Sequence, residues 1–182
     1  AWSNAHQNPV TGFDVFNIKR DFQSESSYDS STIGFTLRSA FPIAESLRQN
    51  IRYTLRQDKI ENVGSAASRF VAEQAGERLT SSIGHTVTYD LRDRRVLPTT
   101  GYMARISQDL AGLGGDVAYL KNKFNFQYYH PFSESLTGIL ATEEGFIYGI
   151  GERVRISDRF FLGGSNLRGF ESAGVGPRDR ST

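Results

Sequence analysis

Cysteine is absent from the 182 residues, which removes disulfide frameworks, thiol nucleophiles, thiolate zinc sites and iron–sulfur clusters. An excess of one charge sign is missing too. Lys plus Arg number 21 against 20 Asp plus Glu, a formal net charge of +1, so no basic field points to nucleic acid as a partner. Methionine occurs once, at Met103, and the chain opens on Ala1. Nothing at that start has the charged and apolar regions of a signal peptide, and the sequence reads as a processed protein or an interior piece. Long hydrophobic runs are lacking as well: a spanning helix needs ~18 or more apolar residues in a row, and runs such as Val117–Leu120 fall far short. That excludes only one way of crossing a bilayer. Barrel strands need ~9 to 11 residues of alternating character, a signal that a mean hydropathy of -0.42 conceals.

What is present is aromatic and turn-rich: 13 Phe, 8 Tyr and 18 Gly, a mixture suited to many strands joined by turns. Read at period two, Ile33, Phe35, Leu37 and Phe41 fall on one face, and Thr32, Gly34, Thr36, Arg38 and Ala40 on the other, with Pro42 taken as the end of the ladder. Leu47, Ile51, Tyr53 and Leu55 then oppose Arg48, Asn50, Arg52, Thr54 and Arg56 across a tight hairpin. Leu79–Asp93 sets Ile83, Val87, Tyr89 and Leu91 against Thr86, Thr88, Asp90 and Arg92, a run too long for an average soluble strand. Tyr102–Leu110 and Ala118–Phe132 alternate in the same way. Leu136–Tyr148 is a weaker strand, and Gly12–Phe22 is a strand whose phase the sequence leaves open. The expectation is an all-β chain of about seven up-and-down antiparallel strands.

The connections alternate between long and short, as in membrane barrels with short periplasmic turns and longer outer loops. Ser65–Gln74 carries helical spacing inside one long connection, so a short loop helix is expected there. A soluble β-sandwich also alternates and stays open as an alternative; strand length and the column Arg48, Arg52, Arg56 on one face favour the barrel.

No residue set invites catalysis. His6, His85 and His130 lack metal-like spacing, and His85 falls on an apolar face. Glu143 and Glu144 are adjacent on a strand, so they point to opposite faces and cannot flank one bond. Gly112, Gly114 and Gly115 lack the Lys and Ser of a phosphate loop, and Ser165 lacks the second glycine of a nucleophile elbow. The expectation is a non-enzyme with no cofactor and no metal.

The stretch Arg159–Asp179 is different in kind. Leu167-Arg168-Gly169-Phe170, flanked by Gly163-Gly164 upstream and Gly176-Pro177-Arg178-Asp179 downstream, resembles the sixth extracellular loop of the outer-membrane assembly factor BamA family. Asp90–Asp93 running into Pro98, Thr99, Thr100 and Gly101 resembles the strand and periplasmic turn before that family's ninth strand. The resemblance implies an interior fragment of a sixteen-stranded barrel, strands five to eleven. Residues 1–182 would form a partial transmembrane barrel domain, with strands and turns over 11–149, the hallmark loop over 150–182 and no POTRA domain. It implies that Arg38, Arg48, Arg52, Arg56, Asp90 and Arg92 face the lumen, that Asp93, Pro98, Thr99 and Gly101 build the turn, and that Arg168 ties the loop to a carboxylate on the inner wall. The implied function is folding and inserting β-barrel proteins in the bacterial outer membrane without nucleotide hydrolysis. The implied partners are outer-membrane lipid, unfolded barrel clients and assembly-complex lipoproteins. A two-partner secretion pore of the same superfamily and a soluble β-sandwich binding protein are the alternatives.

Overall fold

The computed structural model describes residues 9–23, 27–65, 67–164, 166–171 and 175. Their frame is one seven-stranded antiparallel sheet in chain order: β1 (Val10–Asp21), β2 (Asp29–Ala44), β3 (Leu47–Glu61), β4 (Gly76–Asp90), β5 (Gly101–Gly115), β6 (Tyr119–Ser133) and β7 (Leu136–Gly149). Each strand pairs with its sequence neighbour, the cheapest topology in loop entropy. At 12 to 16 residues, every strand exceeds the ~9 to 11 needed to cross hydrocarbon.

Register turns the period-two pattern into two faces. Phe13, Leu37, Tyr53, Ile83, Leu110, Leu120 and Tyr148 lie side by side in one row across all seven strands. The adjacent row on the opposite face reads Gly12, Arg38, Arg52, Gly84, Asp109, Lys121 and Ile147. The same registry places Ile33, Phe35, Ile51, Leu55, Val87 and Tyr89 on the apolar face, and Arg48, Arg56 and Asp90 on the polar one. It also fixes the phase of β1, where Phe13 and Val15 share the apolar face with Leu37 and Phe35.

The apolar face is uncovered. Phe13, Val15 and Leu140 are 74%, 75% and 63% exposed, values that the inner face of a soluble sandwich would not show. Among the described residues there is one sheet and no second layer. Buried apolar side chains instead gather on the polar side, where Ala111, Val117 and Tyr119 pack with Ile147.

Several boundaries differ from the sequence reading: β3 runs on past Arg56 to Glu61, and β5 past Leu110 to Gly115, so that Gly112, Gly114 and Gly115 belong to a strand and not to a turn. Pro42 does not end β2; it pairs opposite Arg48, with a register shift between Pro42 and Ala44, because a residue without an N–H disturbs a ladder near its turn more readily than it stops it. β4 ends at Asp90, three residues before the expected Asp93, since Asp93 turns its carboxylate onto the following loop. The expected loop helix shrinks to a single turn, α1 (Arg69–Ala72), with Ser68 as its N-cap.

Candidate functional site: the polar face and the loop laid across it

The polar face is wired across strands. Arg52 on β3 reaches over β4 to Asp109 on β5, its Nη2 2.5 Å and 2.6 Å from the two carboxylate oxygens. The residue between them is Gly84, and only glycine leaves that path open: a Cβ there would lie 3.1 Å from Arg52 Nε and collide with Asp109 Oδ1. Arg38 pairs with Asp14 at 2.5 Å, and Thr36 meets Thr54 at 2.9 Å. Gly84→Val is expected to break the Arg52–Asp109 bridge and cost about 1 to 3 kcal/mol through overpacking. The temperature at which the folded, fast-migrating gel band disappears should fall; an unchanged transition would mean that the row yields at no cost.

After β7 the chain turns back over this face. A short 3₁₀ turn, Ile156–Asp158, lays Asp158 on the wall at 3% exposure. Asp158 Oδ1 accepts a short hydrogen bond from Arg56 Nη2, and its backbone carbonyl accepts from Lys121 Nζ at 2.6 Å. Arg56 Nε also lies 2.9 Å from Asp58 Oδ2, off the line of a hydrogen bond, so Asp58 serves as a charge partner and takes its hydrogen bond from Thr32 Oγ1 at 2.8 Å. Burial pushes the Asp158 carboxyl up, and Arg56 pulls it part of the way back. Two residues further on, the Phe160 ring sits against Gly145 of β7, with Lys121 Nζ 4.6 Å and Lys123 Nζ 5.4 Å from its centroid. Gln74, just past α1, closes the set: its Oε1 accepts from Ile156 N at 2.8 Å and its carbonyl from Arg155 Nη2 at 2.7 Å.

The sequence-derived site residues are distributed differently. Leu167-Arg168-Gly169-Phe170 forms the tip of a tight loop in which Gly164 N donates to the Phe170 carbonyl at 2.9 Å and Gly163 N to Asn166 Oδ1 at 2.9 Å. Gly169 has φ +90, which a side chain would strain. Arg168 is exposed and has no ion pair among the described residues, and Phe170 is 54% exposed. Gly176, Pro177, Arg178 and Asp179 lie outside the described residues. Arg38, Arg52 and Arg56 carry the wiring of the wall, whereas Arg48 is an exposed member of the same face. Asp158, Phe160, Gly84 and Gly145 were not singled out from sequence. The available signal was an acid and an aromatic just ahead of the glycine-rich motif, together with glycines inside strands.

At the opposite end, the β4–β5 turn is organised by two carboxylates. Arg92, beyond the end of β4, grips Asp90 with Nε and Nη2, both at 2.8 Å. Asp93 accepts from Thr99 N at 2.9 Å, Thr99 Oγ1 at 2.8 Å, Thr100 N at 3.3 Å and Arg94 Nε at 3.0 Å. Pro98 precedes this network, and Gly101 at φ +97 ends it, where a Cβ would run into the Leu91 carbonyl. Desolvation works to raise the Asp93 carboxyl, but the donors from Thr99, Thr100 and Arg94 outweigh it and hold it well below the usual carboxylate range. A depressed folded-state value adds stability above the unfolded pKa of 3.8 and loses it only as pH falls through the folded value. The amides of Thr99 and Thr100 should therefore stay protected from hydrogen exchange at pH 4, and Asp93→Asn should weaken that protection at neutral pH. Equal exchange in both proteins would count against the network.

Comparison with known proteins agrees with this geometry. The Omp85 superfamily domain matches residues 5–182. The chain is 31% identical to the outer membrane protein assembly factor BamA of Neorickettsia risticii over 175 residues, 95% of this chain and 23% of that protein. It is 34% identical to a SAM50-like protein of Schizosaccharomyces pombe over 183 residues, 97% of this chain and 38% of that one. The chain thus spans well under half the length of these relatives. The crystal structure of BamA from Haemophilus ducreyi lacking POTRA domains 1–3 superposes with a TM-score of 0.78 at 23% identity, covering 93% of this chain and 36% of that chain; at that identity the likeness speaks for the fold. An uncovered apolar face, a wired polar face and a family match over nearly the whole length lead to one conclusion: the chain belongs to the Omp85 superfamily, and its strands are barrel strands of the bacterial outer membrane.

Proposed function

We propose that this chain is part of the barrel of a machine that folds and inserts β-barrel proteins into the outer membrane without nucleotide hydrolysis. The observation that carries the reading is a single sheet whose apolar face is uncovered while its charged face is crossed by its own loop. On this reading the charged face, with Arg38, Arg48, Arg52, Arg56 and Asp90, lines the lumen, Arg92 grips Asp90 from the turn just beyond it, and the row from Phe13 to Tyr148 meets lipid. The work is strand pairing and not bond chemistry. An unpaired backbone group in hydrocarbon costs several kcal/mol, so a client strand gains strongly by adding to an opened barrel edge. This segment serves as the rigid wall opposite such an edge and as the seat of the hallmark loop, within which Arg168 would tie to a carboxylate. Partners on this reading are lipid, unfolded barrel clients and the lipoproteins of the assembly complex.

The Neorickettsia risticii relative named above is an outer membrane protein assembly factor by name, which favours assembly over the export-pore alternative. Vesicles holding the complete barrel that includes this segment should raise the yield of folded, gel-shifted client above that of empty vesicles with no nucleotide added. Equal yields would sink the proposal.

A further inference from the structure

The geometry points to Asp158 and Phe160 as positioning residues that anchor the start of the loop on the barrel wall, independently of the Leu167-Arg168-Gly169-Phe170 motif. The inference deepens the assembly reading and rests on it for its functional consequence. Its structural part stands on three attachments of different chemistry within six residues. Asp158 is buried and shares Arg56 with Asp58. Phe160 fills a seat that exists only because position 145 has no side chain, since a Cβ there would lie 2.7 to 2.9 Å from the ring. The backbone of Ile156 and the guanidinium of Arg155 are held by Gln74 from a different loop. Every group on the wall side, Arg56, Asp58, Lys121, Lys123 and Gly145, belongs to β3, β6 or β7. The anchor is complete within the described residues, whereas Arg168 ten residues later has no ion pair there.

The two acids around one guanidinium make the anchor asymmetric. Losing Asp158 leaves Arg56 still beside Asp58, but losing Arg56 strands two carboxylates that are 8% and 3% exposed. A stranded buried charge costs more than a missing pair.

The test uses limited trypsin digestion after Arg155 and Arg159, together with client insertion, in the membrane-embedded protein. Arg56→Gln should raise cleavage on the order of 100-fold and slow insertion. Adding Asp158→Asn to Arg56→Gln removes one stranded charge and should bring protection partly back, which a general loosening of the barrel would not do. Gly145→Leu leaves every charge in place and evicts Phe160; it should expose the same bonds with the heat-modifiability of the barrel unchanged. Unaltered cleavage in Arg56→Gln and Gly145→Leu, or a double variant worse than the single, would overturn the anchor. If these variants respond as stated while the parent inserts no client, the anchor stands and the assembly reading falls.

Discussion

Expressed alone, the 182-residue chain is expected to aggregate or remain misfolded and to insert no client. The sheet ends at β1 and β7, and among the described residues neither outer edge has a strand beside it. About half of the N–H and C=O groups on each edge strand point outward. At several kcal/mol for each unsatisfied group in hydrocarbon, the two edges together cost tens of kcal/mol, against a typical net stability of ~5 to 15 kcal/mol for a folded domain. Edge pairing with further strands therefore decides whether this sheet exists in a bilayer, and side-chain wiring such as Arg52–Asp109 is too small to substitute for it. Reconstitution into liposomes, with client folding read by gel shift and the chain's state by detergent-resistant mobility, checks both halves. Efficient insertion by the chain, or a discrete two-copy barrel closed β1 to β7, would show the edge argument to be wrong.

How the strands were legible follows from what sets them. Side chains alternate with period two whatever lies beyond the sheet, so Ile33 to Phe41 and Arg48 to Arg56 declared their faces without reference to any partner. β1 could not, because its polar face includes Phe16 and Ile18; only its pairing with β2 puts Phe13 and Val15 on the apolar side. Glu143 and Glu144 separate as alternation demands, with Glu143 opposite Asn125 and Glu144 opposite Phe124. His85 does lie on the apolar face, and the reason a polar ring is tolerated there is a chain of neighbours: Gln108 Oε1 at 3.0 Å from its Nε2, and Asn122 Oδ1 2.7 Å from Gln108 Nε2.

The anchor was illegible for a different reason. Asp158 and Arg56 are 102 residues apart, and nothing local to Ile-Ser-Asp-Arg-Phe marks that aspartate as buried. A motif held by its neighbours in sequence can be read as a string, but a contact made by closing a loop over a sheet cannot. Gly84 and Gly145 illustrate the same limit, since each looks like a weak point in a strand until the side chain that needs the vacancy, Asp109 or Phe160, is in place.

That division of labour sets the expectation for Arg168. Within this sheet the residue is exposed at a loop tip, so Arg168→Ala should leave the Asp158–Arg56 anchor and the protection of Arg155 and Arg159 intact. In the complete barrel, if its carboxylate partner sits on strands beyond this sheet, the same change removes a charge-assisted contact and leaves an acid short of donors. The loss is on the order of 2 to 5 kcal/mol where the pair is substantially buried. It should appear as a lower heat-modification temperature, cleavage at the loop tip and reduced client assembly. Arg168→Lys should recover only part, because an ammonium restores charge without the planar fork that meets a carboxylate bidentately. Two loosening events would then be separable by position: anchor variants expose the chain at Arg155 and Arg159, and motif variants expose it beyond Gly164. Unchanged heat-modifiability and unchanged protease protection in both Arg168 variants of the complete barrel would instead assign the guanidinium to solvent and leave the loop held by the attachments at Gln74, Asp158 and Phe160.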